Sequence, residues 1–169
     1  MKEAAQLLNG MQSSGVVHAY AVFGAVAQMR YTEPVITLDL DILVALPDPD
    51  RLDLLPGIYE FCANHGFQTA GHAGRVGAWP VQFLPVYDAL TREALEHAEI
   101  CTLEEVPIRV VGANYLAAIA LATGRSRDHE RVLALLESGA ASRAQIEALA
   151  RRHGLSEAWG RFQKRLGDG

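Results

Sequence analysis

The chain contains no uninterrupted apolar run near the roughly 20 residues that a membrane-spanning helix needs. Its opening, MKEAAQLLNGMQSSG, alternates polar and apolar residues and has no secretory hydrophobic region. Together these absences predict a cytoplasmic protein with no membrane partner. Cysteine is scarce: Cys62 and Cys101 stand alone with no CxxC spacing, which argues against a disulfide framework and against a structural zinc site. Their apolar neighbours predict two reduced, mostly buried thiols. His18, His65, His97, His129 and His153 have no metal-ligand spacing and are expected on helix or strand surfaces. Internal repeats and low-complexity stretches are also missing.

What is present fits one compact domain with a real core: 169 residues, half of them apolar and about a fifth charged. The net charge of -5 is unevenly spread. Residues 1–124 carry six Lys or Arg against fourteen Asp or Glu, whereas residues 125–169 carry nine against six. The basic tail either offers a surface to a phosphate-rich partner or is the solvated side of long helices.

Periodicity divides the chain into a sheet-forming part, 1–112, and a C-terminal helical segment, 113–169, packed on the same domain. Glu3 to Met11 has helical spacing, and Val16 to Phe23 reads as a strand that stops at Gly24, where AVAQMR opens a short helix. ITLDLDILVAL reads as a strand with one buried end. After the proline-punctuated PDPDRLDLLPG loop, Ile58, Phe61, Cys62 and His65 mark a helix closed by Gly66. Two strands, Phe67 to Ala70 and Trp79 to Val86, are joined by GHAGRVG as a flexible hairpin connection. In that connection His72 and Arg75 either reach a triphosphate or belong to a solvent loop. Trp79, Phe83 and Tyr87 have the spacing of strand residues packing into a core. A helix over Leu90 to Ala98 and one or two strands in Ile100 to Val111, broken at Pro107, complete the first part. The tail holds helices over Asn114 to Thr123, His129 to Glu137, Arg143 to His153 and Glu157 to Leu166, with Ser142 and Gln145 at capping-box spacing. The fold class is α/β (α+β), a small mixed sheet flanked by helices with a helical C-terminal part.

Asp39 and Asp41 are the chemical focus. Residues two apart on a strand share a face, at roughly 6 to 7 Å along the chain. Leu38, Leu40 and Ile42 would fill the opposite, core-facing side. Two carboxylates that close repel unless a cation lies between them, and a hard divalent ion such as Mg²⁺ is the economical occupant. On its own an Asp-x-Asp also fits an ordinary half-exposed sheet. The upstream Phe23-Gly24-Ala25 sharpens the reading, because a strand that ends in a helix start leaves backbone N–H groups suited to phosphate oxygens.

This arrangement, a glycine turn followed by Asp-hydrophobic-Asp-hydrophobic, resembles the signature of the polymerase-beta-like nucleotidyltransferases. Three segments, YAVFGAVAQMRYTEPVITLDLDILV, VQFLPVYDALTREALEHA and YLAAIALATGRSRDHERVLALLE, look more closely like the AbiEii-type, minimal-nucleotidyltransferase-like bacterial proteins often linked to toxin systems. The resemblance spans roughly residues 17–137. It implies the nucleotidyltransferase fold and a metal-dependent transfer of a nucleoside monophosphate from a nucleoside triphosphate to an acceptor hydroxyl, on RNA or on protein. It further implies Mg²⁺ or Mn²⁺ on Asp39 and Asp41, and triphosphate at Gly24 and Ala25. Thr37 matches a frequent family residue; its hydroxyl either bonds a ligand or carboxylate or simply packs beside them. Arg125 and Arg127, with Asp128, match a helix-start motif in which a guanidinium grips phosphate; the alternative is a Gly124 C-cap, a Ser126 N-cap and an Asp128 that serves the helix dipole.

The departures from the family pattern are equally specific. Ala25 stands where Gly or Ser is usual. Gln82 occupies the third carboxylate's position and cannot act as a base. Ala120 replaces a frequent Lys. A catalytically degenerate binding protein, or an antitoxin-like protein that masks a cognate partner, is therefore the alternative to an enzyme.

Overall fold

The computed structural model describes residues 2–37, 39–47, 55–70, 73–76 and 79–167, with backbone alone for 68–70, 73–76 and 79. Helix α1, Lys2–Ser13, buries Ala4, Ala5, Leu7, Leu8 and Met11, an i, i+3, i+4, i+7 stripe that ends where Gly15 adopts φ 76°. Strand β1, Ala19–Phe23, passes at Gly24 into α2, Gly24–Gln28. Strand β2, Leu40–Ala45, follows. Next come α3, Pro56–Asn64, and three strands: β3, Gln68–Ala70; β4, Ala73–Val76; and β5, Trp79–Pro85. Helix α4, Ala89–Glu96, starts at an Asp88–Thr91 capping box, and β6, Glu99–Leu103, and β7, Val106–Val110, form a hairpin. Four helices close the chain: α5, Ala113–Thr123; α6, Ser126–Glu137; α7, Arg143–Arg152; and α8, Ser156–Gly167.

The described strands form one mixed sheet of seven in the order β3-β4-β5-β2-β1-β7-β6. β1 and β2 lie antiparallel at the centre, while β2 with β5 and β1 with β7 are parallel. On β1, β2 and β5 the residues Tyr20, Val22, Leu40, Ile42, Val44, Val81 and Phe83 are buried. The Tyr20 hydroxyl donates to Asn9 Oδ1 of α1 at 2.6 Å, so this is the face on which α1 packs against β1. The other face meets the helical tail. α5 is its hub, buried almost all round and packed against α2, α4, α6, α7 and α8.

Several expectations are corrected here. GHAGRVG is more than a connection, because Ala73–Val76 pairs with both β3 and β5; its glycines read as a turn, yet a strand interior can hold Gly where long-range pairing requires it. The break in Ile100 to Val111 falls at Glu104 and Glu105, whose φ values of 48° and 68° make the tight turn, and Pro107 sits within β7. Helix α6 begins three residues before His129, and the N-cap is Arg125, not Ser126. Ser142 caps α7 without a side-chain bond; its own N–H donates to Asn114 Oδ1 at 2.8 Å, and Gln145 accepts from the Asn114 amide. Tyr87 is 65% exposed rather than core, since it lies beyond the end of β5, while Phe83 is buried as expected. Cys62 is buried and Cys101 only half-buried. The His153 side chain is 8% exposed, not on the surface, because Glu93 of α4 meets its Nε2 at 2.7 Å. His72 and Leu38 lie outside the described residues, as do the side chains of Arg75 and Trp79. No helix among the described residues is long and apolar enough to cross a membrane.

Candidate active site

The site grows from the register of three strands. Asp41 pairs with Phe23 on β1 and with Gln82 on β5, so all three side chains leave the sheet on the face opposite α1. Asp39 stands one residue before β2 and lines the same cavity as Asp41, which corrects the reading of both carboxylates as strand residues. The cavity holds about 810 Å³. Leu40 and Ile42, with no exposed surface, fix β2 from behind. Thr37 Oγ1 donates to the Asp39 backbone oxygen at 3.0 Å and lies 3.4 Å from Asp39 Oδ1.

Gly24 forms the floor. Its φ of 67° is a left-handed conformation that side chains resist, and a Cβ built there would collide with Asp41 Oδ2 and approach Asp41 Cγ to 3.2 Å. The strand can therefore turn into α2 directly against the carboxylate only because this residue has no side chain. Ala25, next in α2, also lines the cavity.

Burial and then the charge of Asp39 push the Asp41 carboxyl from 3.8 up to about 6, while Arg131, Arg127 and Arg125 pull the other way. This is a carboxylate held in a place where its charge is costly. A cation beside it would remove that cost.

The facing wall is basic. Arg125, Arg127 and Arg131 come from the start of α6, and Ala120 from α5. Gly124, at φ 71°, ends α5 in the left-handed cap anticipated for it. Asp128 then organises the turn: it is 1% exposed, and its Oδ2 accepts from the Arg125 backbone N–H at 3.3 Å and from Arg125 Nε at 2.9 Å. Its Oδ1 lies 3.4 Å from Arg131 Nη1. On the other flank Arg131 Nε donates to Gln28 Oε1 of α2 at 3.0 Å. Arg131 is thus held between α6 and α2, lines the cavity, and its charge acts on Asp41.

Nearly the whole chain superimposes on several solved structures. It matches the complex of ANT(2″)-Ia with adenylyl-2″-tobramycin at TM-score 0.56 and 11% identity, covering 96% of this chain and 97% of that one. This chain has the nucleotidyltransferase fold. An antigenic nucleotidyltransferase-like protein from Paracoccidioides brasiliensis matches at TM-score 0.58 and 11% identity, over 92% of this chain and 89% of that one. The solution structure of the antibiotic-resistance factor ANT(2″)-Ia matches at TM-score 0.55 and 10% identity, over 99% and 98%. No family model matches the chain, and no curated protein matches it in sequence.

On this nucleotidyltransferase fold the residues singled out in the sequence, Gly24, Ala25, Thr37, Asp39, Asp41, Gln82, Arg125 and Arg127, all line one cavity. Sequence reasoning missed Gln28 and Arg131. An Asp128–Arg131 pair at i, i+3 was a legible signal for the second; nothing local marks Gln28. Replacing Asp128 by Asn should lower unfolding stability by about 2 kcal/mol, since two guanidiniums lose their common anion, with Arg125's exposure limiting the loss. Urea denaturation measures this, and an unchanged midpoint would remove Asp128 as the organiser of the α6 turn.

Proposed function

We propose that the protein transfers a nucleoside monophosphate from a nucleoside triphosphate to an acceptor hydroxyl. The observation that carries this is the pairing of Asp39 and Asp41 with the Gly24 turn on one wall, opposite Arg125, Arg127 and Arg131 on the other. The donor set suits a hard divalent cation: two carboxylates, one of them ionised at a cost, and the amide oxygen of Gln82. Asp39 and Asp41 would hold Mg²⁺ or Mn²⁺, which when bound neutralises charge on the phosphate oxygens.

The chain's own groups do the rest. Backbone N–H groups at the start of α2, at Gly24 and Ala25, face phosphate oxygens, and the guanidiniums of Arg125, Arg127 and Arg131 orient the triphosphate tail. Thr37 holds the Asp39 main chain in place. The acceptor oxygen forms a bond to the α-phosphorus as the α–β bridging oxygen departs with pyrophosphate. The acceptor's proton leaves to solvent, because Gln82 has no basic group to take it.

The basic tail supports RNA or protein as the acceptor class, and the resemblance to AbiEii-type proteins supports a role in a toxin-type system with a cognate partner protein. The second reading is a binding module without turnover, favoured by Gln82 beside Asp41 and by Ala120, a small apolar side chain on the cavity wall. Incubation with each labelled nucleoside triphosphate, Mg²⁺ and cell extract separates them. Transfer of label that is lost in the Asp39→Asn, Asp41→Asn double variant supports the enzyme. Nucleotide binding without transfer for any of the four supports the binding module.

A further inference from the structure

We propose that this centre takes a single divalent cation rather than a pair, and that Gln82 is the residue that sets the count. The inference rests on the reading above, because it concerns the same carboxylates.

Two-cation centres for phosphoryl transfer hold their ions about 3.5–4 Å apart, and each ion needs anionic oxygen to offset its repulsion of the other. Here the sheet side of the cavity supplies only two carboxylates, Asp39 and Asp41. Among the described residues, no group of three His, Cys, Asp or Glu side chains comes together to hold a metal. On the sheet wall of the cavity the polar side chains at the centre are Asp39, Asp41 and Gln82, with Gln82 in direct register with Asp41. The position best placed to add a third negative charge therefore adds a neutral amide. Its carbonyl oxygen can complete the shell of one cation but gives a second no charge to bind.

The α6 side of the cavity carries Asp128 and Glu130 beside three arginines, and Asp128 is already paired with Arg125 and Arg131. Arg131 is only 19% exposed and cannot swing away freely, being tied to Gln28 at 3.0 Å and to Asp128 at 3.4 Å. Together with Arg125 and Arg127 it already acts on Asp41 across the cavity. A second dication would enter between these guanidiniums and a carboxylate pair already satisfied by the first ion.

The test counts Mn²⁺ retained per full-length chain in equilibrium dialysis, with and without α,β-methylene-ATP, and records the electron paramagnetic resonance spectrum of the bound metal. The expected result is one Mn²⁺ per chain, with the spectrum of an isolated ion. Gln82→Glu and Gln82→Asp should each raise the count to two and give the spectrum of a spin-coupled pair, with thermal melting confirming that both variants fold. Two ions in the wild-type chain would overturn the proposal and leave the transferase reading standing. A count fixed at one in both folded variants would overturn the role of Gln82. No retained ion, or retention unaffected by the Asp39→Asn, Asp41→Asn double change, would overturn the proposal together with the metal-dependent reading beneath it.

Discussion

Replacing Asp41 by Asn should abolish transfer and at the same time make the protein harder to unfold near neutral pH. The catalytic loss, about 10³-fold, follows from removing one of two carboxylates that would hold the cation. The gain in stability follows from the electrostatics of the metal-free site. Asp41 keeps its proton up to about pH 6 in the folded chain, against 3.8 for an ordinary carboxyl. Below pH 3.8 both folded and unfolded forms are protonated, and the group costs nothing. As pH rises from 3.8 through about 6 the unfolded chain ionises first, so folding loses stability, and above that window the penalty is constant. Asparagine keeps the shape and omits the charge. The variant should therefore melt above wild type at pH 7.5, the difference should vanish below pH 3.8, and added Mn²⁺ should raise the wild-type melting temperature alone. Wild-type affinity for Mn²⁺ should also weaken as pH falls below about 6, since the proton and the cation compete for one carboxylate. A variant that melts below wild type at pH 7.5 would contradict the costly-charge account of Asp41.

Gly24→Ala should be the most damaging added methyl among the described glycines. Two costs combine: a left-handed φ of 67°, and a Cβ driven into the Asp41 carboxylate. Together they should destabilise by roughly 2–4 kcal/mol and displace Asp41 even in the fraction that stays folded. Gly15 provides the control, with a similar φ of 76° and nothing within 4 Å of an added Cβ. Gly15→Ala should cost only about 1–2 kcal/mol. The difference between the two urea midpoints isolates the collision. Equal losses would mean that Gly24 is required for backbone conformation alone.

The site was more legible in the sequence than its supports. Asp41 could be read because strand periodicity fixes which side chains share a face; Asp39 lies just before the strand yet reaches the same cavity, and Gln82, marked by the family resemblance, falls beside Asp41 through the register of β2 with β5. Gly24 was legible because a strand that must turn abruptly into a helix leaves few residue choices. Arg131 was half legible: its i, i+3 pairing with Asp128 stood in the sequence, but its bond to Gln28, 103 residues away, did not. The cap on α7 failed for the same reason: the sequence offered Ser142 and Gln145, and Asn114, 28 residues upstream of Ser142, took over the bonds. Strand β4 was hidden because its partners, not its own glycine-rich composition, make it a strand. Tyr87 carried the period of a core residue beyond the point where β5 ends.

A crystal structure with Mn²⁺ and α,β-methylene-ATP would show whether Asp39 and Asp41 share a cation beside the Gly24 turn. Anomalous density held by Asp39 and Asp41, with the triphosphate running from the start of α2 toward Arg131, is the expected result. Metal bound elsewhere, or nucleotide seated away from this cavity, would contradict it.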